Sequence, residues 1–153
     1  MLFLRLMDPT MKKILVMEDD KKIATALAIR LEAAGYEVFT APDGFGGLKL
    51  ALHQRPDLLL MDIWMPVGTG FSVAQRLESL GLSGIPMIFI TASKLKGLRR
   101  AAEKLGAVGF FEKPYDPAQL LDTIARALEP NPAPRADQRV VSEIRNPNSM
   151  TRV

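Results

Sequence analysis

The chain has no cysteine and only one histidine, His53, among its 153 residues. Without thiols there are no disulfides and no thiolate metal sites, so the fold rests on its core and does not depend on an oxidising compartment. The isolated histidine, beside Gln54-Arg55-Pro56 at a helix end, reads as a surface residue and makes the chain neither a kinase nor a metal site. Long apolar runs are missing as well. The longest are strand-sized, which excludes a membrane span. The opening MLFLRLMDPT is interrupted by Arg5 and lacks a small-residue cleavage site, which argues against a signal peptide. A strong charge of either sign is also absent. The net charge is +3, spread along the chain, and supplies no concentrated basic face for direct contact with nucleic acid. A cytoplasmic protein is expected.

Hydrophobic residues make up 48% of the chain, enough for one domain of ordinary size that buries roughly 70% of its unfolded surface. Met11 opens the first strand-like run, so residues 1–10 read as an N-terminal extension and 11–129 as the domain. At Pro130-Asn131-Pro132-Ala133-Pro134 the composition changes, and 130–153 reads as a flexible, proline-rich tail. Val140-Val141 and Ile144 are a candidate contact within it. There are no internal repeats.

Within the domain, apolar strand-like runs alternate with helix-period segments, which implies βα units around a parallel, doubly wound sheet. Ile14 to Met17 predicts the first strand. Asp20 then caps a helix whose Ile23, Leu27 and Leu31 share one face before Gly35 stops it. Tyr36 to Thr40 is the second strand, followed after Ala41-Pro42-Asp43-Gly44 by a helix carrying Leu48, Leu50 and Leu52. Leu58 to Met61 is the third, with a helix from about Phe71 to Leu80. Pro86 to Ile90 is the fourth, with a helix near Lys94 to Leu105. Val108 to Phe111 is the fifth, and Asp116-Pro117 reads as cap and first residue of a last helix reaching Glu129. Every strand is nearly continuous in apolar residues, as burial on both faces requires.

The strand ends carry the chemistry. Glu18 and Asp19 end the first strand, Asp62 the third and Thr91 the fourth, and Lys113 follows the fifth. Any one acid is more often a cap or a solvated turn residue. Five polar groups at the carboxyl ends of four strands, where doubly wound sheets bind ligands, point instead to one site. Three converging carboxylates repel one another and call for a cation. The oxygen-only donors Glu18, Asp19 and Asp62 suit Mg²⁺. A carboxylate can attack phosphorus to form an acyl phosphate, a transfer that runs on positioning and charge neutralisation. Lys113 and Thr91 are suited to the oxygens of such a phosphoryl group.

The segment from about Lys12 to Glu129 resembles a receiver domain of two-component response regulators. The resemblance is carried by Ile14-Leu15-Val16-Met17-Glu18-Asp19-Asp20, by Pro56-Asp57-Leu58-Leu59-Leu60-Met61-Asp62-Ile63-Trp64-Met65-Pro66, and by Thr91-Ala92 and Lys113-Pro114 in that order. It implies a flavodoxin-like fold with strand order 2-1-3-4-5 and helices on both faces. It further implies that Asp62 accepts phosphate from a histidine kinase or phosphotransfer protein. Glu18 and Asp19 would hold Mg²⁺, partly through water, with the Trp64 main-chain carbonyl as another ligand. The Lys113-Pro114 bond would be cis. Thr91 and Phe110 would couple phosphorylation to the surface of the fourth helix, fifth strand and fifth helix. Phe110 lacks the hydroxyl of the more usual tyrosine, so an inward bias is expected, and a plain core phenylalanine is the other reading.

Some positions depart from the family pattern. Trp64, two residues after the acceptor, is unusually large there. It either shields the acyl phosphate from water or meets a partner. Thr69 stands where an acid is common, and reads as a tolerated loop change. Gly44-Phe45-Gly46-Gly47 lacks the spacing of a phosphate-binding loop and reads as a helix start. Lys94, Lys96, Arg99, Arg100 and Lys104 make the fourth helix basic, either as a solvated face or as a dock for an acidic partner. The expected function is a stand-alone receiver that signals through noncovalent protein association. It is a phosphoacceptor that assists its own phosphorylation and dephosphorylation, not an enzyme acting on others. The alternative, a Mg²⁺-dependent phosphatase with an aspartyl-phosphate intermediate, normally needs an acid where Trp64 stands. A flavodoxin-like cofactor carrier is disfavoured because Glu18-Asp19-Asp20 would repel a flavin phosphate.

Overall fold

The computed structural model describes residues 10–130. The expected extension through residue 9 and the expected tail from residue 131, including Val140, Val141 and Ile144, lie outside the described residues. Strands and helices alternate in the order β1 (Lys13–Met17), α1 (Lys21–Ala33), β2 (Glu37–Ala41), α2 (Gly44–Gln54), β3 (Leu58–Asp62), α3 (Gly70–Ser79), β4 (Met87–Thr91), α4 (Leu98–Lys104), β5 (Gly109–Glu112) and α5 (Pro117–Leu128). The sheet runs β2-β1-β3-β4-β5 and each neighbouring pair is parallel. This is the doubly wound order that was expected.

The period-two alternation of a strand sorts its side chains to opposite faces. Leu15, Met17, Leu59, Met61 and Phe89 meet α2, α3 and α4 through Ala51, Val73, Leu77 and Ala102. Ile14, Val16, Leu58, Leu60, Ile88 and Ile90 meet α1 and α5 through Leu27, Leu31, Leu120 and Ile124. Burial on both sides explains the unbroken apolar runs of β1, β3 and β4. The edge strands depart from that expectation, because β2 exposes Thr40 and β5 exposes Glu112.

Helix starts follow local chemistry. Asp20, Asp43, Thr69 and Asp116 each accept a hydrogen bond from a main-chain N–H in the first turn of the helix that follows. Thr69 therefore fills the capping role an acid would have filled. The Gly44-Phe45-Gly46-Gly47 segment is the first turn of α2, as its spacing suggested.

Two local expectations are corrected. The fourth helix begins at Leu98, not Lys94, because Gly97 takes a left-handed conformation (φ 87°) just before it and no side chain caps the turn. Lys94 and Lys96 thus belong to the β4–α4 loop. Packing also differs. α2 buries Gly44, Gly47 and Ala51 while Leu52 is exposed, and α1 buries Ala24 while Ile23 is partly exposed. A Cβ on Gly44 would lie 2.7 Å from the Val67 carbonyl, and one on Gly47 would overlap the Met17 side chain. At Gly44 the obstacle is main chain, so only glycine fits there, whereas a side chain at Gly47 would have to displace the buried Met17 side chain.

Candidate functional site

At the carboxyl ends of the strands the structure brings Glu18, Asp19, Asp62 and Lys113 together. β1 delivers Glu18 into a buried position and leaves Asp19 exposed at the mouth. β1 and β3 are direct neighbours, with Met17 opposite Met61, so the acids that follow those residues share one end of the sheet. One oxygen of each of Glu18, Asp19 and Asp62 lies within 4.8 Å of the others. This donor set is entirely oxygen and carries three formal charges, which suits a hard divalent ion such as Mg²⁺.

Each oxygen of Asp62 has its own partner. Oδ1 accepts the Trp64 main-chain N–H at 3.2 Å, and Oδ2 lies 3.3 Å from the Lys113 ammonium. Lys113 also reaches both oxygens of Glu18, at 3.3 and 3.4 Å. The ammonium therefore offsets two of the three carboxylates. Burial works against the charge on Lys113, but Asp62 and Glu18 outweigh it and hold its pKa above the ordinary value. Glu18 is pushed from 4.5 up to about 7, first by burial and then by the neighbouring Asp62 carboxylate, with Lys113 opposing. The Lys113-Pro114 peptide is cis.

Thr91 is fully buried at the end of β4, one residue beyond Ile90, the register partner of Asp62. Its hydroxyl accepts the Ser93 N–H at 3.1 Å, and its carbonyl accepts the Lys113 N–H at 2.8 Å. Phe110 is buried in β5 opposite Phe89, with the Arg99 guanidinium 4.9 Å from its ring centroid. Trp64 is half exposed beside Asp62.

Three residues take roles that the sequence reading did not give them. Lys94 donates to the Glu112 carboxylate at 3.2 Å and to the Lys113 carbonyl at 3.3 Å, tying the β4–α4 loop to the loop that carries the ammonium. With Arg99 over Phe110, two of the five basic residues assigned to the fourth helix make specific contacts. Gly97, read as a helix stop signal, would have placed Lys94 in a loop. Gly70 is the second participant. A Cβ there would stand 2.5 Å from the Asp62 carbonyl oxygen, so α3 starts pressed against the main chain of Asp62. The third is Tyr115, which with Ile23, Glu18, Asp62 and Lys113 lines a small cavity below the acids. Burial raises its pKa.

A family model described as response regulator receiver domain matches residues 14–125. The chain is 36% identical over 109 residues to the alkaline phosphatase synthesis transcriptional regulatory protein PhoP of Bacillus subtilis, covering 71% of this chain and 45% of that protein. It is 34% identical over 150 residues to the DNA-binding dual master transcriptional regulator RpaA of Synechocystis, covering 94% and 59%. Among solved structures, the chemotaxis response regulator CheY4 of Vibrio cholerae is similar with a TM-score of 0.71 and 33% identity, covering 78% of this chain and all of that one. The chain spans about half the length of the curated transcriptional regulators it matches. Among the described residues, no helix is long and apolar enough to cross a membrane.

Proposed function

The chain belongs to the response regulator receiver domain family of two-component systems, and on that premise we propose that Asp62 is its phosphoacceptor, charged by a histidine kinase or a histidine phosphotransfer protein. One observation carries the assignment. Asp62 belongs to the three-carboxylate cluster that fits Mg²⁺, has one oxygen on Lys113 and the other on the Trp64 main-chain N–H, and its strand lies between β1, which brings Glu18, and β4, which brings Thr91. In the reaction an Asp62 oxygen forms a bond to phosphorus while the bond from phosphorus to the donor's imidazole nitrogen breaks, its electron pair leaving with the imidazole.

Glu18, Asp19 and Asp62 would hold Mg²⁺, with the Trp64 main-chain carbonyl as a further ligand, and the ion when bound supplies charge neutralisation at the phosphoryl oxygens. Lys113 turns its ammonium from Asp62 Oδ2 toward the newly bound group. Thr91 gives up its contact with Ser93 and donates its hydroxyl to a phosphoryl oxygen. This draws the β4–α4 loop inward and changes the packing around Phe110. The same groups assist hydrolysis, so the chain governs its own dephosphorylation without turning over an external substrate.

Residues 11–129 act as the receiver unit in the cytoplasm. Output passes by noncovalent association with another protein, without direct contact to nucleic acid. The α4–β5–α5 side, where Arg99 lies over Phe110, is the surface that responds. The test is incubation with acetyl phosphate and Mg²⁺, followed by intact-mass measurement. One added phosphoryl group is expected on the wild type and none on Asp62→Asn. Absence of uptake from acetyl phosphate and from every histidine kinase tried would sink the assignment.

A further inference from the structure

The paired register of β4 and β5 ends at Thr91 and Glu112, one residue before the lysine that reaches the acids. The Lys113 N–H still donates to the Thr91 carbonyl, at 2.8 Å. Carried one rung further, a parallel ladder would set Lys113 opposite Ala92 and give its carbonyl the N–H of Ser93. That N–H is turned elsewhere. It donates to the Thr91 hydroxyl at 3.1 Å, and in its place the Lys94 ammonium donates to the Lys113 carbonyl at 3.3 Å.

Glu112 holds that ammonium over the carbonyl, with its carboxylate 3.2 Å from the same nitrogen. The two side chains are 66% and 49% exposed, and an ion pair so open to water does little for stability. Its consequence lies in what it positions. The main chain of Lys113 is fixed on both sides by the segment that follows β4, through its N–H to Thr91 and through its carbonyl to Lys94. From that anchored main chain the Lys113 ammonium extends to Glu18 and Asp62.

We infer that Lys94 is a positioning residue for phosphoryl transfer, acting through the Lys113 main chain to set where the Lys113 ammonium meets the phosphoryl group. The inference rests on the phosphoacceptor reading above. Adjacent residues of one loop divide the work, the Ser93 N–H orienting Thr91 and the Lys94 side chain orienting Lys113. Lys94 touches none of the reacting atoms. A displacement of about 1 Å in a charge-neutralising group is nevertheless enough to slow a transfer that runs on placement. The flexible stem of a lysine also lets the contact persist while Thr91 draws the loop inward.

The experiment follows phosphorylation of the full chain by acetyl phosphate with Mg²⁺. Lys94→Met removes the donor, Lys94→Arg keeps one, and Lys96→Met removes an exposed charge two residues along. In Lys94→Met the rate constant is expected to fall roughly three- to tenfold, the scale of one lost hydrogen bond. Lys94→Arg should recover most of it, and Lys96→Met should stay near wild type. Two readouts separate positioning from a general loss of structure. Mg²⁺ affinity by titration calorimetry should be the same in Lys94→Met as in the wild type, because the carboxylates are untouched. In the metal-free protein the Lys113 carbonyl ¹³C resonance should shift in Lys94→Met and stay in place in Lys96→Met. A wild-type rate in Lys94→Met would overturn the inference, and so would an equal loss in Lys96→Met, which would reduce Lys94 to a bulk charge. A wild type that takes no phosphate from acetyl phosphate or from any histidine kinase would overturn the phosphoacceptor reading itself.

Discussion

The Lys113 ammonium lies 3.3 Å from Asp62 Oδ2 although 51 residues separate the two in sequence and β4 stands between their strands. The same nitrogen is 3.3 Å from Glu18. One cation thus balances two buried or half-buried acids brought in by two other strands, and the folded state depends on that balance as much as any phosphoryl transfer does.

Removing the ammonium while keeping the chain length tests this. Lys113→Met leaves Glu18 and Asp62 facing each other without a counter-charge. Because the lysine is partly solvated, the stability loss at pH 8 is expected to be about 1–3 kcal/mol, short of a fully buried pair. Urea denaturation at pH 8 and pH 5 measures it. The loss should shrink at pH 5, where Glu18 takes up a proton. An equal loss at both values would show that packing, not charge, is what the substitution removes.

Glu18 makes the metal-free protein sensitive to pH in a definite direction. Its pKa rises from 4.5 to about 7 on folding, so the native state holds the proton more tightly than the unfolded chain does. That contribution to stability is present below about pH 4.5 and is lost as pH climbs through about 7. Mg²⁺ held at Glu18 would compete with the same proton. Its affinity should therefore increase between pH 6 and pH 8, and added Mg²⁺ should raise the melting temperature more at pH 8 than at pH 6. Glu18→Gln should flatten both responses. Titration calorimetry across that range that finds a constant affinity would rule the linkage out.

Gly70 predicts a purely geometric effect on Asp62. A methyl group there would stand 2.5 Å from the Asp62 carbonyl, so Gly70→Ala must push β3 and α3 apart. We expect a loss of about 1–3 kcal/mol, within the range typical of overpacking, and slower uptake from acetyl phosphate. Gly84→Ala, at a position with open space around it, is the control and should change neither.

Phe110 tests how the site is read out. Phe110→Ala removes a buried ring and is expected to cost roughly 3–5 kcal/mol, so Phe110→Leu, which keeps most of the volume, is the informative partner. Both remove the ring that Arg99 covers. A pull-down comparing untreated and beryllofluoride-treated protein should lose its difference in Phe110→Leu while phosphorylation by acetyl phosphate persists. A retained difference would make Phe110 a core residue and nothing more.

Much of this protein is decided within short windows of sequence. Asp20, Asp43 and Asp116 cap helices through hydrogen bonds to N–H groups two or three residues away, and such contacts depend on local order alone. The apolar runs ending in Glu18, Asp62 and Thr91 placed those groups at strand ends for the same reason, since each run and the polar residue that closes it are adjacent in sequence. What the tertiary structure decided is which groups meet. Lys113 met both Glu18 and Asp62. Lys94 left its expected helix to hold Glu112 and the Lys113 carbonyl. α2 set glycines beside its partly buried Leu48 and Leu50, where its backbone comes close to Met17 and the Val67 carbonyl. Those outcomes depend on strand register and on the distance between packed layers, to which residues far apart in sequence contribute jointly.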